Sequence, residues 1–207
     1  MPKQLGWSFD SSACIDCKAC QIACQDKNDL GAEIRWRRVL QYGGGSWVKQ
    51  GNIMVPNDIF TYAVSFACMH CQEPICATVC PAAAISKRDD GVVLIDDNKC
   101  IGCRYCEWAC PYGAVHFNTV QGVMTKCNFC YDLLAQGQNP ACVDACVTRA
   151  ITFGELTDLQ ALNGSLDAVE PLPSGEYTKP SFVIKPHPHA QVSGKGTGKI
   201  LNLPEEV

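Results

Sequence analysis

An α+β fold built from two interlocked modules is predicted by three observations in this 207-residue sequence. Its 16 cysteines fall into four groups of four with none left over. Two of those groups repeat each other together with the residues that precede them, and short hairpin signals lie between groups.

The groups are Cys14, Cys17, Cys20, Cys24; Cys68, Cys71, Cys76, Cys80; Cys100, Cys103, Cys106, Cys110; and Cys127, Cys130, Cys142, Cys146. The first and third read C-x2-C-x2-C-x3-C, and the third runs on into Pro111. That is the bacterial ferredoxin run, whose fourth cysteine ligates the other cluster of a pair. A loop with a cysteine at every third position can turn three thiolates toward one cubane, and the fourth iron is reached from elsewhere. Each cluster therefore ties together two distant pieces of chain. The second group, C-x2-C-x4-C-x3-C-P, and the fourth, C-x2-C-x11-C-x3-C, keep the same outer pairs around an insertion, which a loop tolerates if the sulfurs still converge.

Even-numbered cysteines also suit a disulfide framework, and C-x2-C pairs suit structural zinc. Neither requires four complete groups with repeated three-cysteine registers and Cys-Pro ends, so 4Fe-4S clusters are expected. The repeat supports this: Phe9 to Cys17 aligns with Ile95 to Cys103, Ala23-Cys24 with Ala109-Cys110, and Ala84-Ile85 with Ala150-Ile151. The second and third groups both end in Cys-Pro and lie 19 residues apart, so they form one module, around which the first and fourth close. One module then holds clusters on Cys68, Cys71, Cys76, Cys110 and on Cys80, Cys100, Cys103, Cys106. The other holds Cys14, Cys17, Cys20, Cys146 and Cys24, Cys127, Cys130, Cys142. The fold class is thus two interlocked ferredoxin-like two-cluster modules with short β-hairpins and helices, a β-rich insertion and an extended C-terminal tail.

Divided along the sequence, residues 5–33, 59–89 and 90–119 are ferredoxin-type cluster motifs. Residues 120–155 carry the fourth group, completing the module begun by 5–33, and 156–207 form a partner-binding C-terminal region. Hairpins are expected at Ala84 to Lys87 with Val92 to Ile95, and at Val115 to Asn118 with Val123 to Thr125, around the turns Asp90-Gly91 and Gln121-Gly122. The insertion, 25–67, has a strand-like Val39 to Tyr42, a break at Gly43-Gly44-Gly45, and alternation over Phe60 to Phe66 that reads as a strand with one buried face. With Trp36, Trp47 and its arginines it is either a docking surface or a hairpin packed on its own core. Pro171 to Val207 holds six of the twelve prolines. It is expected to build no core of its own and to lie extended along a partner, with disorder as the alternative.

A net charge of −4 excludes binding nucleic acid through bulk electrostatics. No apolar run approaches the roughly 20 residues of a membrane span, and no secretory signal is read at Met1 to Gly6. Each oxidised cluster with its four thiolates adds a formal charge of about −2, so four take the protein to about −12. Lys18, Lys99, Arg104, Lys126 and Arg149 beside the cysteines are candidate tuning charges, although a solvated surface charge is the commoner role. Arg104, inside the third loop, is expected to raise the potential of the Cys80, Cys100, Cys103, Cys106 cluster. His70, between Cys68 and Cys71, reads as a packing or hydrogen-bonding residue, and His187 and His189 are assigned no site. Full cysteine ligation leaves no open iron for a substrate, and no nucleotide or nucleophile motif is present. No catalytic residue is expected. A protein of this length has a diameter somewhat above about 40 Å, too far for one cluster to carry an electron across and within reach of four in a row.

Taken together, the order of the groups, Cys100-Ile101-Gly102-Cys103-Arg104-Tyr105-Cys106, Ala109-Cys110-Pro111-Tyr112-Gly113-Ala114, Met124-Thr125-Lys126-Cys127, and the ending from Thr178-Lys179-Pro180 to Pro204-Glu205-Glu206-Val207 resemble the iron–sulfur B subunits of anaerobic dimethyl sulfoxide reductases over essentially the whole sequence. The cysteine motifs alone fit the wider family of four-cluster subunits. The resemblance implies a non-catalytic subunit with four 4Fe-4S clusters, passing electrons from a quinol-oxidising membrane anchor to a molybdopterin catalytic subunit that reduces S-oxides or N-oxides. It also implies the same nested pairing of groups. The complex would be membrane-associated, on the periplasmic face if co-exported with a catalytic subunit bearing a twin-arginine signal, or on the cytoplasmic face. The alternative is a polyferredoxin-type carrier of a formate dehydrogenase, polysulfide-type reductase or hydrogenase.

Overall fold

The computed structural model describes residues 3–206; Met1-Pro2 and the final Val207 lie outside the described residues. In sequence order the first elements are β1 (Leu5–Asp10), α1 (Ala19–Lys27), β2 (Arg38–Gln50), β3 (Ile53–Phe66), α2 (Ile75–Thr78), β4 (Ile85–Lys87), β5 (Val93–Ile95) and α3 (Tyr105–Ala109). They are followed by β6 (Val115–Asn118), β7 (Val123–Lys126), α4 (Tyr131–Leu134), α5 (Ala141–Asp144), β8 (Ile151–Glu155), α6 (Leu156–Asn163), β9 (Phe182–Lys185), β10 (Lys199–Ile200) and α7 (Leu203–Glu206). This is an α+β arrangement of small sheets and short helices.

The internal repeat reappears as strand pairing. β4 and β5, joining the second cysteine group to the third, set Ile85 opposite Ile95. β8 and β1 join the fourth group to the first in the same way and set Ile151 opposite Phe9. The hairpin after the third group, β6–β7, spans four residues a side, and its counterpart after the first group is the long β2–β3 hairpin. The segment read as an insertion is therefore an elongated copy of a hairpin the other repeat also has.

Two details of that hairpin differ from the sequence reading. Gly43-Gly44-Gly45 does not end a strand but lies within β2, where the ladder shifts register between Gly44 and Ser46. Gly45 has a φ of +97°, and a Cβ there would meet Asp58 O at 2.5 Å, so the bulge needs glycine. The alternation over Phe60 to Phe66 does not leave one face wet. Tyr62 to Phe66 are all buried because the root of the hairpin is covered on both faces, whereas Trp47, Ile53 and Met54 at the tip are exposed.

The tail does not wait for a partner. Phe182, Val183 and Ile184 are buried in β9, which pairs parallel with β1 to complete the sheet β8-β1-β9. β1 sits in the middle of that sheet, so without β9 its second edge would be bare. Upstream, Gln72 N donates to Lys179 O at 2.8 Å and Ser181 Oγ to His70 O at 2.9 Å, pinning the tail over the second cysteine loop. Downstream, β10 pairs with β2, and buried Asn202 accepts from Gln41 N and donates to Val39 O, both at 2.8 Å, so that a side chain extends the ladder. Replacing Ile184 by alanine is expected to cost about 2–5 kcal/mol and to lower the thermal midpoint of the iron-loaded protein. An unchanged midpoint would show that the strand adds nothing to the core.

The main core runs through the first and fourth groups. Trp7 stacks on Phe129 with centroids 4.0 Å apart, and His70 meets the same Phe129 ring edge-on at 5.1 Å. A smaller cluster of Ile85, Val93, Cys106, Val115 and Met124 sits under the third group. Cysteine thiols are part of both.

Candidate functional site

The three-cysteine loops owe their shape to left-handed residues at alternate positions. In the first, Asp16 (φ 55°) and Lys18 (φ 58°) are left-handed; in the third, Gly102 (φ 67°) and Arg104 (φ 64°) hold the equivalent places. Such alternation turns successive backbone N–H groups to one side, the geometry of an anion nest. It then hands over to α1 or α3, whose first turns carry Cys20 and Cys106. Ala83 and Arg149 are also left-handed, and the next amide donates to a thiol four residues back: Ala84 N to Cys80 Sγ at 3.3 Å and Ala150 N to Cys146 Sγ at 3.2 Å. Met124 N reaches Cys100 Sγ at 3.3 Å and Phe129 N reaches Cys127 Sγ at 3.4 Å. These donors favour sulfur in its anionic state.

All sixteen cysteines are free thiols. Cys68, Cys71, Cys76 and Cys110 line one cavity, with His70 beside them. Cys14, Cys17, Cys20 and Cys146 line another. The thiols acting on Cys106 are those of Cys100, Cys103 and Cys80. Burial dominates at Cys24, where Arg37 opposes it and Cys142, Cys130 and Cys20 add repulsion; Cys127 feels Cys24, Cys68 and Cys142. Two cavities thus each gather four thiols, and the remaining eight lie among neighbouring thiols drawn from different groups of the sequence. The four expected quartets also neighbour one another in series, since Cys106 acts on Cys76, Cys68 on Cys127 and Cys142 on Cys20. The order runs from the Cys80, Cys100, Cys103, Cys106 end to the Cys14, Cys17, Cys20, Cys146 end.

Left to themselves the most buried of these thiols would stay protonated. Burial pushes Cys14 and Cys106 up to about 11, and Cys24, Cys71 and Cys76 up to about 12. Crowded thiols raised in this way call for a cation that supplies the ionisation energy, which is what metal coordination does. Zinc would draw its sulfurs to within about 3.8 Å of one another, as Zn–S bonds near 2.3 Å in a tetrahedron require. Among the described residues no three His, Cys, Asp or Glu side chains gather closely enough to hold a single ion. Grouped thiols whose sulfurs accept backbone N–H donors fit an iron–sulfur cluster.

The tuning charges named from sequence divide sharply. Lys126 is buried, its Nζ donating to Val93 O and, at 3.1 Å, to Cys127 O. Arg104 is exposed and pairs with Glu107 at 2.6 Å, Lys99 reaches Asp96 at 3.4 Å, and Arg149 donates to Asp144 O at 2.9 Å. Paired and solvated, Arg104 has little field left to act on the third loop. Arg104→Gln is therefore expected to leave every cluster potential nearly unchanged in an EPR redox titration, a smaller effect than its position in the loop suggests. A clear fall would mean that Glu107 does not neutralise it. His70 is fully buried and held neutral by burial and by Lys126, with Nδ1 accepting from Val93 N at 3.0 Å. Arg37, which nothing in the local sequence sets apart, is buried against the Trp7 ring and beside four thiols.

Residues 59–156 match the family model described as a 4Fe-4S dicluster domain, so the fold and its thiol loops define a ferredoxin-type iron–sulfur protein. The probable anaerobic dimethyl sulfoxide reductase subunit YnfG of Escherichia coli K12 is 46% identical over 207 residues, covering 100% of both sequences, as is the B subunit of anaerobic dimethyl sulfoxide reductase of the same strain. The B subunit of polysulfide reductase of Wolinella succinogenes is 35% identical over 192 residues, 90% of this sequence and 96% of its own. The protein belongs to the family of iron–sulfur B subunits of anaerobic dimethyl sulfoxide reductase and related enzymes.

Proposed function

We propose that the protein is the non-catalytic electron-transfer subunit of a membrane-associated molybdopterin reductase. It would hold four 4Fe-4S clusters, one on each quartet: Cys80, Cys100, Cys103, Cys106; Cys68, Cys71, Cys76, Cys110; Cys24, Cys127, Cys130, Cys142; and Cys14, Cys17, Cys20, Cys146. When bound, each cluster supplies a one-electron redox site. The observation that carries the reading is the serial order of the quartets, whose two ends lie under surface loops. Ile101 and Trp108 are exposed at one end and Ile15 and Val147 at the other, apolar surface of the kind partner subunits cover.

On this reading the protein's own residues shape the conditions at each site. Buried aromatic and aliphatic side chains exclude water, backbone amides hold the sulfurs anionic, and the left-handed loop residues fix where each thiol points. One end faces a membrane anchor that oxidises quinol, and the other a catalytic subunit that reduces dimethyl sulfoxide and related S-oxides or N-oxides. The domain division at 33, 59, 90, 120 and 156 belongs to the same proposal, with 156–207 both closing the core and offering its outer side to a partner. Among the described residues no helix is long and apolar enough to cross a membrane, and the anchor is proposed as a separate subunit. On this reading the complex faces the periplasm if it is carried out with a catalytic subunit bearing a twin-arginine signal, and the cytoplasm otherwise.

Gentle anaerobic purification of the tagged protein from its native cells tests this. Molybdenum and an integral membrane protein should co-purify in fixed ratio to it. An iron-loaded protein that elutes alone would point instead to a free polyferredoxin-type carrier.

A further inference from the structure

Arg37 opens the buried root of the long hairpin and is 2% exposed. Its Nη1 donates to Ser65 Oγ at 3.2 Å, and Ser65 Oγ in turn lies 3.4 Å from Cys20 Sγ. Its guanidinium carbon stands 4.9 Å from the centroid of the Trp7 ring. The thiols its charge acts on are Cys142, Cys20, Cys127, Cys24 and Cys130. Nε and Nη2 are buried without a partner. Among the described residues Arg37 makes no ion pair with a carboxylate.

A guanidinium cannot shed its proton in a protein, and an uncompensated buried charge is costly enough that anions are found beside it. Among the described residues the candidates for that anion are the thiol groups and whatever they bind. Those thiols belong to two quartets: Cys20 to one, and Cys24, Cys127, Cys130 and Cys142 to the next. Resting on the cluster assignment above, we infer that Arg37 is the shared counter-charge of the two iron–sulfur sites on Cys14, Cys17, Cys20, Cys146 and on Cys24, Cys127, Cys130, Cys142, and that it raises the reduction potential of both. Each site takes up one electron on reduction while the guanidinium keeps its proton, so the added negative charge is met by a fixed positive one that solvent does not screen. The other two sites lie beyond this residue and are indifferent to it. Arg37 acts as a positioning and charge-supplying residue and performs no chemistry itself.

The test is a potentiometric EPR titration of the whole complex, wild type against Arg37→Met and Arg37→Lys, with iron counted in each. Methionine keeps bulk and removes charge; lysine keeps charge and loses the fork. The expected result is that two of the four midpoint potentials fall in Arg37→Met, the other two stay, and Arg37→Lys brings the lowered pair back toward wild type. Four unchanged potentials in a fully loaded Arg37→Met protein would overturn the inference. So would a uniform shift of all four, or a lysine variant displaced as far as the methionine one, which would mark a packing role. If Arg37→Met fails to load iron, a loaded Arg37→Lys protein with near wild-type potentials supports the charge role, and failure of both variants to load overturns it. Fewer than four clusters in the wild type would remove the assignment underneath, and the iron count shows that separately.

Discussion

Stripping iron from the anaerobically purified protein is expected to unfold most of it. The reason lies in the size of its elements. α2, α4 and α5 have four residues each, and β4 and β5 have three. Neither single-turn helices nor two-stranded sheets that short are stable in water alone. What gathers them is convergence of thiols from remote segments, such as Cys24 with Cys142 and Cys14 with Cys146. Without a bound cluster, each convergence must bear the loop-closure entropy unaided and bury thiols that repel when ionised. Six of those cysteines, Cys20, Cys24, Cys68, Cys127, Cys142 and Cys146, lie inside the main apolar core, so releasing them opens the core itself. Limited proteolysis and near-ultraviolet circular dichroism should show cleavage throughout residues 68–155 and loss of the aromatic signal from the Trp7 and Phe129 stack. An iron-free protein with native protease resistance would show that the apolar core suffices.

The second large effect is expected from Cys110→Ala. Cys110 belongs by sequence to the third group, yet its thiol lines the cavity of the second. Losing it should empty one interior site and spare the end sites. Electron transfer falls steeply with distance, so a gap in the middle of the series is more damaging than a shifted potential. Quinol-driven reduction of the terminal acceptor by the assembled complex should fall by orders of magnitude. Reduction driven by a small dye that meets the catalytic subunit directly should persist, which separates a broken relay from a failed assembly. Equal loss of both activities would place the defect in assembly, and retained quinol activity would remove this site from the path.

Much of this is legible in the sequence because its strongest signal is local. Spacing within each cysteine group is a property of a few residues, and it announces the loops and the two short hairpins between them. The match of Ala84-Ile85 with Ala150-Ile151 foreshadows equivalent N–H donors to Cys80 and Cys146. What escapes is set by contacts between remote segments. The run Ser181 to Ile184 is recognisably strand-like, but its partner strand, β1, lies some 170 residues earlier, so the sequence alone gives the tail to a partner instead of to its own core. The run Phe60 to Phe66 reads as alternating although both faces are covered from Tyr62 onward, where the polar Ser65 is buried by hydrogen bonding to Arg37 and Cys20. Arg37 looks like one of three surface arginines. Its neighbours Arg35 and Arg38 give no hint that the middle residue turns inward, and only the convergence of four groups creates the buried anionic place it occupies.

Whether the sixteen cysteines hold four cubane clusters is decided by iron and acid-labile sulfide analysis joined to Mössbauer spectroscopy of the anaerobic complex. Four irons and four sulfides per quartet are predicted, hence about sixteen of each per molecule, all in 4Fe-4S form. Zinc in their place, or an iron-to-sulfide ratio and spectrum showing fewer or incomplete clusters, would contradict the account.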